Sequence, residues 1–246
     1  MQLHNHTATT PEQNLALDEA LLLHSDSDHL RFWEPVNHFV VLGRSSSYDD
    51  EVAVETCNEL GVTILRRVSG GATIVTGPGC LMYAVVLDLR ERPELMDLTK
   101  AHRYVLRKMV EALQPVEPTA TIAGTSDLAF DRDALGPKDR LRKFSGNSVR
   151  RVRNRLLYHG TLLYNFDLPL ISKLLRTAPR QPEYRTSRDH DAFVTNLQAT
   201  RSQLIEAIAA TWHATPADIT PSIHRQAGTL VAKKYSIPTW NTHGKL

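Results

Sequence analysis

The chain has 246 residues, 29 Lys and Arg against 27 Asp and Glu for a formal charge of +2, and 41% hydrophobic residues. This is the make-up of an ordinary globular protein, which excludes disorder as the main state, and the near-neutral balance argues against a dedicated nucleic-acid binder. No window supplies the roughly 18 apolar residues of a membrane span, and the polar N-terminus lacks the apolar stretch of a secretion signal, so the expectation is a cytoplasmic protein with neither membrane nor nucleic acid as partner. Cys57 and Cys80 are the only cysteines, too few for a disulfide framework or a thiolate zinc cage.

Pro11 follows Thr9 and Thr10, and Leu15, Ala16, Ala20, Leu22 and Leu23 then recur near helical spacing, which predicts a helix over Glu12 to His24. Apolar residues on both sides of Glu34-Pro35-Val36-Asn37 predict two short strands within His29 to Leu42. A helix over Asp49 to Leu60, closed by Gly61, comes next, and then strands at Val62 to Arg66, Ala72 to Val75 and Leu81 to Leu89. Leu98 to Leu113 reads as an amphipathic helix. Further strands are expected at Thr119 to Ile122, Ser126 to Phe130, Lys143 to Gly146 and Arg155 to Tyr164, with a charged exposed loop over Asp131 to Arg142. Leu168 to Leu175 reads as helix, Thr177 to Asn196 as irregular, and Ser202 to His213 and Pro216 to Lys233 as helices. Strand runs with separated helices favour an α+β fold of mixed, mainly antiparallel sheets with flanking helices, and residues 1–246 fit one large domain, with or without a modest appendage.

The densest chemical signal is Arg66-Arg67-Val68-Ser69-Gly70-Gly71-Ala72, with Thr73 following. Successive glycines let backbone amides approach an anion, and guanidiniums supply charge and a forked donor suited to phosphate or carboxylate. The plain alternative is a Gly-containing hairpin with solvated arginines. It is neither a P-loop nor a Rossmann fingerprint, because no Gly-Lys-Ser/Thr or G-x-G-x-x-G spacing is present. Lys143, ahead of Ser145-Gly146-Asn147, could hold an ammonium beside a developing negative charge, or stand as a surface lysine. His159-Gly160-Thr161 heads an apolar strand, where His159 could meet a ligand or sit hydrogen-bonded in the core. Arg150-Arg151-x-Arg153-x-Arg155 could attract a triphosphate or an acidic protein surface, or be a solvated turn. The polar aromatic stretch Arg180 to Arg185 with His190 could cover a site or simply cross the surface.

Taken in order, several motifs resemble the lipoate-protein ligase A family of the biotin/lipoate ligase superfamily. They are Asn14-Leu15-Ala16-Leu17-Asp18-Glu19, Leu30-Arg31-Phe32-Trp33, Arg66-Arg67-x-Ser69-Gly70-Gly71, Gly124-Thr125-Ser126-Asp127, Lys143-x-Ser145-Gly146-Asn147, His159-Gly160-Thr161-Leu162-Leu163 and Lys234-Tyr235-Ser236 with Trp240-Asn241. The resemblance implies activation of lipoate with ATP and Mg²⁺ to an acyl-adenylate, then transfer to a lysine on a lipoyl domain or a glycine-cleavage H-like protein. It implies that Arg67, Ser69, Gly70, Gly71, Ala72 and Thr73 line the acyl and phosphate site. Lys143 would hold the carboxyl or acyl-phosphate oxygens as a fixed cation. Ser126 and Asp127 would meet the adenylate or, for Asp127, its metal, and Ser145, Gly146, Asn147, His159, Gly160 and Thr161 would complete the walls. Burying about six methylenes of an acyl tail at roughly 0.8 kcal/mol each would contribute about 5 kcal/mol, and Leu65, Tyr83 and Leu163 are candidate linings.

Two departures define alternatives. Ala72 stands where the family carries a third glycine, and Thr76-Gly77-Pro78-Gly79-Cys80 replaces its His-Asp-x-Gly-Asn turn. The Gly-Pro-Gly portion is similar to the related octanoyltransferases, which use an acyl-protein donor and a cysteine, although neither cysteine falls at their catalytic positions. The chain also ends shortly after Trp240-Asn241, where full-sized ligases continue into an accessory domain. That leaves an enzyme that does without the domain, one served by a separate accessory chain, or a non-catalytic lipoate- or adenylate-binding subunit of a two-chain ligase.

Overall fold

A computed structural model describes residues 1–131, 141–176, 182–185 and 188–246. Its strands in chain order are β1 (Gln2–Asn5), β2 (His29–Trp33), β3 (Phe39–Leu42), β4 (Thr63–Arg66), β5 (Ile74–Thr76), β6 (Cys80–Asp88), β7 (Ala120–Ala123), β8 (Asp127–Asp131), β9 (Leu141–Val152), β10 (Arg155–Leu163) and β11 (Thr215–Pro216). The helices are α1 (Pro11–His24), α2 (Tyr48–Glu51), α3 (Val54–Glu59), α4 (Leu98–Leu113), α5 (Pro169–Leu174), α6 (His190–Phe193), α7 (Arg201–Thr211), α8 (Pro221–Leu230) and α9 (Pro238–His243).

Eight strands form one sheet in the order β11-β1-β2-β6-β10-β9-β8-β7, and three form a second in the order β4-β3-β5. Pairing is parallel for β1 with β11 and β2 and for β3 with β4, and antiparallel elsewhere, so the mixed, mainly antiparallel α+β expectation holds. Strand alternation divides the core. Leu81, Tyr83, Val85 and Leu87 of β6 point to one face and pack with α4 and α7; Cys80, Met82, Ala84 and Val86 point to the other, under α1 and the small sheet. α1 begins with a capping box from Thr10 to Gln13 and buries every residue from Asn14 to Leu22, because it lies between the large sheet and α8. That face, where α1 and the small sheet cover β6, β9 and β10, carries the cavities described below.

Several expectations need correction. The helix expected over Asp49 to Leu60 is two short helices, α2 and α3, split where Val52 turns extended and bridges Leu175. Pro216 belongs to β11, and the last long helix starts at Pro221 on a Thr220 cap and ends in a π-turn over Val231–Tyr235. The polar start of the chain forms β1, whose strand carries only a single buried residue, His4. The third strand of the central run extends well beyond Gly146, to Val152. Most of the loop expected over Asp131 to Arg142, and Arg180 and Gln181, lie outside the described residues.

Candidate active site

Two contiguous cavities open between the large sheet and the small one. The first, about 230 Å³, has an apolar wall of Leu15, Trp33, Val41 and Met82 and a polar one of Arg67, Ser126, Asp127, Lys143, Asn147 and His159. The second, about 130 Å³, is walled by Val75, Leu163, Ile171 and Phe193, with Glu51, Arg176, Arg185 and His190 at its polar edge. Ala72, Thr73, Ile74, Lys143, Gly146 and Pro182 border both, so the Lys143 ammonium stands at their junction.

A register shift between Leu128 and Ala129 in β8 sets Lys143 opposite Ala129 and Gly146 opposite Asp127. Lys143 Nζ pairs with Asp127 Oδ1 at 2.8 Å, and Asp127 Oδ2 accepts a hydrogen bond from the Tyr184 hydroxyl at 2.7 Å. Burial, with Asp127 alongside, pushes the Tyr184 phenol far up, so it stays a donor. Gly146 makes room for this lysine, because a Cβ there would lie 2.8 Å from Nζ. Gly160 does the same for Asn147, where a Cβ would sit 1.9 Å from Oδ1. Asn147 Nδ2 donates to the Ser126 carbonyl at 2.8 Å, and Oδ1 accepts from Tyr83 at 2.5 Å, which locks β9 onto β6 and the Ser126 turn.

The two arginines that look alike in sequence part company. Arg66 gives its guanidinium to the carbonyls of Gly43, Ser46, Trp240 and Thr242, among others, and so ties the end of the chain to β4; it does not face either cavity. Arg67 lines the first cavity while its Nε donates to Ser69 Oγ and its Nη groups donate to the carbonyls of Val41, Gly70 and Ala72. Burial lowers its pKa to about 10, still well above neutrality. Arg67 therefore shapes the Ser-Gly-Gly turn from within and presents charge through it. Glu51 holds the other limb, accepting from Thr73 N at 3.0 Å and Thr73 Oγ1 at 2.7 Å.

Behind the first cavity lies a buried polar chain. Asp18 Oδ1 pairs with Arg31 Nη1 at 2.6 Å, and Oδ2 accepts from Trp33 Nε1 at 3.3 Å and faces His159 Nδ1 at 3.9 Å. His159 Nε2 meets Ser69 Oγ at 2.5 Å. Ser69 Oγ, which also accepts from Arg67 Nε at 3.1 Å, thus couples the histidine to the arginine that shapes the turn. Burial alone would raise the Asp18 carboxyl; Arg31 and His159 outweigh it and hold it below the usual range.

Of the residues singled out in the sequence, Arg67, Gly71, Ala72, Thr73, Ser126, Asp127, Lys143, Gly146, Asn147, His159 and Gly160 border the first cavity, and Ser145 and Thr161 the second. Ser69 and Gly70 border neither; Ser69 supports His159 from behind. Ala72 has no positive φ and is exposed, so its methyl is accommodated where the family has glycine. Leu65 and Tyr83 pack in the core and not at the cavities, because their strand positions point them into the two apolar clusters; Leu163 does line the second. Cys80 is fully buried outside both cavities, and burial pushes its thiol up to about 12. The sequence reading missed Glu51, Phe193 and Arg176, which arrive from the ends of the short helices α2 and α6 and from just beyond α5, with no local signal. Asp18 and Arg31 carried one: charges embedded in apolar runs.

Residues 10–211 match the model of the lipoyl protein ligase A/B catalytic domain, and the chain belongs to that family. Among its relatives, lipoate-protein ligase 1 of Staphylococcus aureus is 25% identical over 197 residues, covering 79% of this chain and 55% of the relative. The chain spans about half the length of the first curated relatives it matches. In fold it is similar to a chain of the bi-partite lipoate protein ligase of Thermoplasma acidophilum, solved in a study that included its lipoyl domain (TM-score 0.82, 22% identity, 98% of this chain and 95% of that one). It is also similar to a lipoate-protein ligase A bound with ATP (TM-score 0.79, 22% identity, 98% of each chain).

Proposed function

We propose that this protein activates lipoate, or octanoate, with ATP to the acyl-adenylate and passes the acyl group to a lysine of a lipoyl domain or glycine-cleavage H-like protein in the cytoplasm. The observation that carries this reading is Lys143, a paired ammonium at the junction of an apolar slot and a second pocket. A carboxylate is inert to amines until it has a leaving group. Its oxygen attacks the α-phosphorus, the bond to the departing pyrophosphate breaks, and a lysine amine later displaces AMP at the acyl carbon with loss of a proton. Both steps build negative charge on oxygens beside the junction, where a preorganised cation acts most strongly.

The slot walled by Leu15, Trp33, Val41 and Met82 takes the acyl tail, and the pocket with Phe193, Arg185 and Arg176 takes the nucleotide. Among the described residues no group of three His, Cys, Asp or Glu gathers as a metal site, and both Asp127 oxygens are engaged by Lys143 and Tyr184. Mg²⁺ in this reading travels with the triphosphate, and Asp127 fixes the lysine. A thioester route has no support from Cys80, which is buried, protonated and away from both cavities. In this reading a separate accessory chain works with this one, by analogy with the bi-partite lipoate protein ligase that it resembles in fold. Among the described residues no helix is long and apolar enough to cross a membrane.

Lipoate-dependent exchange of pyrophosphate into ATP tests the first half-reaction, and mass spectrometry of a lipoyl domain after incubation with ATP and lipoate tests the second. Lys143→Ala is expected to lower exchange by about 10²-fold, the loss typical of removing one electrostatic stabiliser. Wild-type exchange rates in that variant would refute the assignment. Lipoate binding without exchange, alone or with any second chain, would favour the non-catalytic subunit.

A further inference from the structure

On the far side of the Gly70–Gly71 turn from Lys143, a shallow groove of about 440 Å³ is bordered by Arg44, Arg150 and Arg151 together with Val68, Val149 and Leu98. Arg44 and Arg151 are exposed and Arg150 is half-buried. Arg151 is held in place by donating to the Met96 carbonyl at 2.6 Å. Neither Arg44 nor Arg150 has an ion pair among the described residues. Burial, and then the Arg44 charge beside it, lower the Arg150 pKa, although Glu19 pulls the other way. The Glu19 carboxylate is itself paired with Lys234 and offsets these like charges only in part, so a carboxylate entering from outside would relieve the repulsion.

The groove and the first cavity lie on the two sides of one turn. Gly70 borders the groove while Gly71 lines the first cavity, and Ser148, another cavity residue, donates to the Gly70 carbonyl at 2.8 Å immediately before Val149 and Arg150. Its rim is also apolar: Leu98 is 47% exposed and Met96 39%. An exposed leucine and methionine beside three guanidiniums suit a protein surface, with apolar and acidic groups side by side, better than a free polyphosphate.

We propose that this groove is the docking surface for the acceptor protein, which presents Asp and Glu side chains flanking its acceptor lysine and so brings that lysine to the mouth of the acyl cavity. The inference rests on the acyl-transfer reading above. Long-range attraction of this kind raises association rates and weakens with salt.

The test uses a lipoyl domain with acidic residues beside its acceptor lysine, and Arg44→Glu/Arg150→Glu with Arg44→Gln/Arg150→Gln as the milder pair. Binding of the fluorescently labelled apo domain is followed by anisotropy at low and high salt, and acceptor-free pyrophosphate exchange is measured in parallel. The reversal is expected to weaken domain binding and raise the KM for the domain by about tenfold or more, to abolish its salt dependence, and to leave exchange at the wild-type rate; the glutamine pair falls between. Equal binding by wild type and reversal would overturn the proposal, as would no binding of the domain to the wild type. A raised KM for ATP in exchange would also overturn it, since the groove would then serve polyphosphate. Absence of exchange in the wild type would remove the activity reading alone, because the binding measurement needs no turnover.

Discussion

Replacing Asp18 by Asn, which keeps its shape and removes its charge, should destabilise the protein more than any exposed charge change. Asp18 is 2% exposed and Arg31 is fully buried. The guanidinium spreads four donations over Asp18 Oδ1, the Asn14 carbonyl, Asn14 Oδ1 and the His6 carbonyl, and Nε has no hydrogen-bond partner among the described residues. Only Asp18 among these carries a compensating charge. Without it, a buried cation is left with neutral acceptors, a change that costs about 3–5 kcal/mol. Arg31→Met should lose a similar amount, leaving a buried carboxylate with the Trp33 indole and His159. The double variant Asp18→Leu/Arg31→Met removes both charges at once and should cost far less than the sum of the single changes, with a coupling of about 3 kcal/mol or more. Urea unfolding at pH 7 measures all three. Single losses below about 1 kcal/mol, or additivity within about 0.5 kcal/mol, would refute the argument that the pair is mutually dependent. A second readout concerns the cavity: Trp33 and His159 both lose an Asp18 oxygen, so the KM for lipoate in the exchange assay should rise.

Two further outcomes follow from local geometry. Gly160→Ala places a methyl 1.9 Å from Asn147 Oδ1; overpacking of about 1–3 kcal/mol plus about 1 kcal/mol for each displaced Asn147 hydrogen bond should lower the urea midpoint and slow exchange, and an unchanged midpoint would show that Asn147 can move aside freely. His29 is buried against His4 at 2.9 Å, and burial followed by the His4 charge lowers its pKa from 6.5 to about 4. The folded state thus binds fewer protons than the unfolded one between those values, so stability is present above pH 6.5 and falls as pH drops toward 4, by about 2 kcal/mol at pH 5 as an upper bound for this one site. His29→Gln should flatten the decline in urea midpoint between pH 7 and 5, and an identical pH dependence would remove His29 as its source.

Much of the architecture was legible because local chemistry and global fold agree. The Thr10–Gln13 capping box and Pro11 mark the start of α1, and the unbroken apolar run Leu81 to Leu87 fits the burial of β6 on both faces. The failures also have physical causes. Val52 breaks the expected helix because its backbone bridges Leu175, more than a hundred residues later in the chain. β1 stays hidden because its strand residues are mostly polar and its stability comes from parallel pairing with β2 and β11, which no local pattern reveals.

The candidate site shows the same division at the level of single side chains. Arg66 and Arg67 are adjacent and chemically identical, so their sequence alone assigns both to an anion. In the fold Arg66 binds Trp240, Asn241 and Thr242, fastening the end of the chain, while Arg67 threads its guanidinium under the Ser69–Ala72 turn at the cavity. What separates them is the end of β4 at Arg66: its backbone N–H donates to the Asn241 side chain, whereas that of Arg67 donates to the Leu42 carbonyl and turns the chain toward the site. Glycine positions behave the other way. Gly146 and Gly160, expected to complete the walls of the site, each leave the space that a Cβ would take to one partner, Lys143 Nζ and Asn147 Oδ1 respectively. Sequence order therefore identifies which residue types the site contains, while long-range contacts decide which of them face the reacting atoms and which hold the others still.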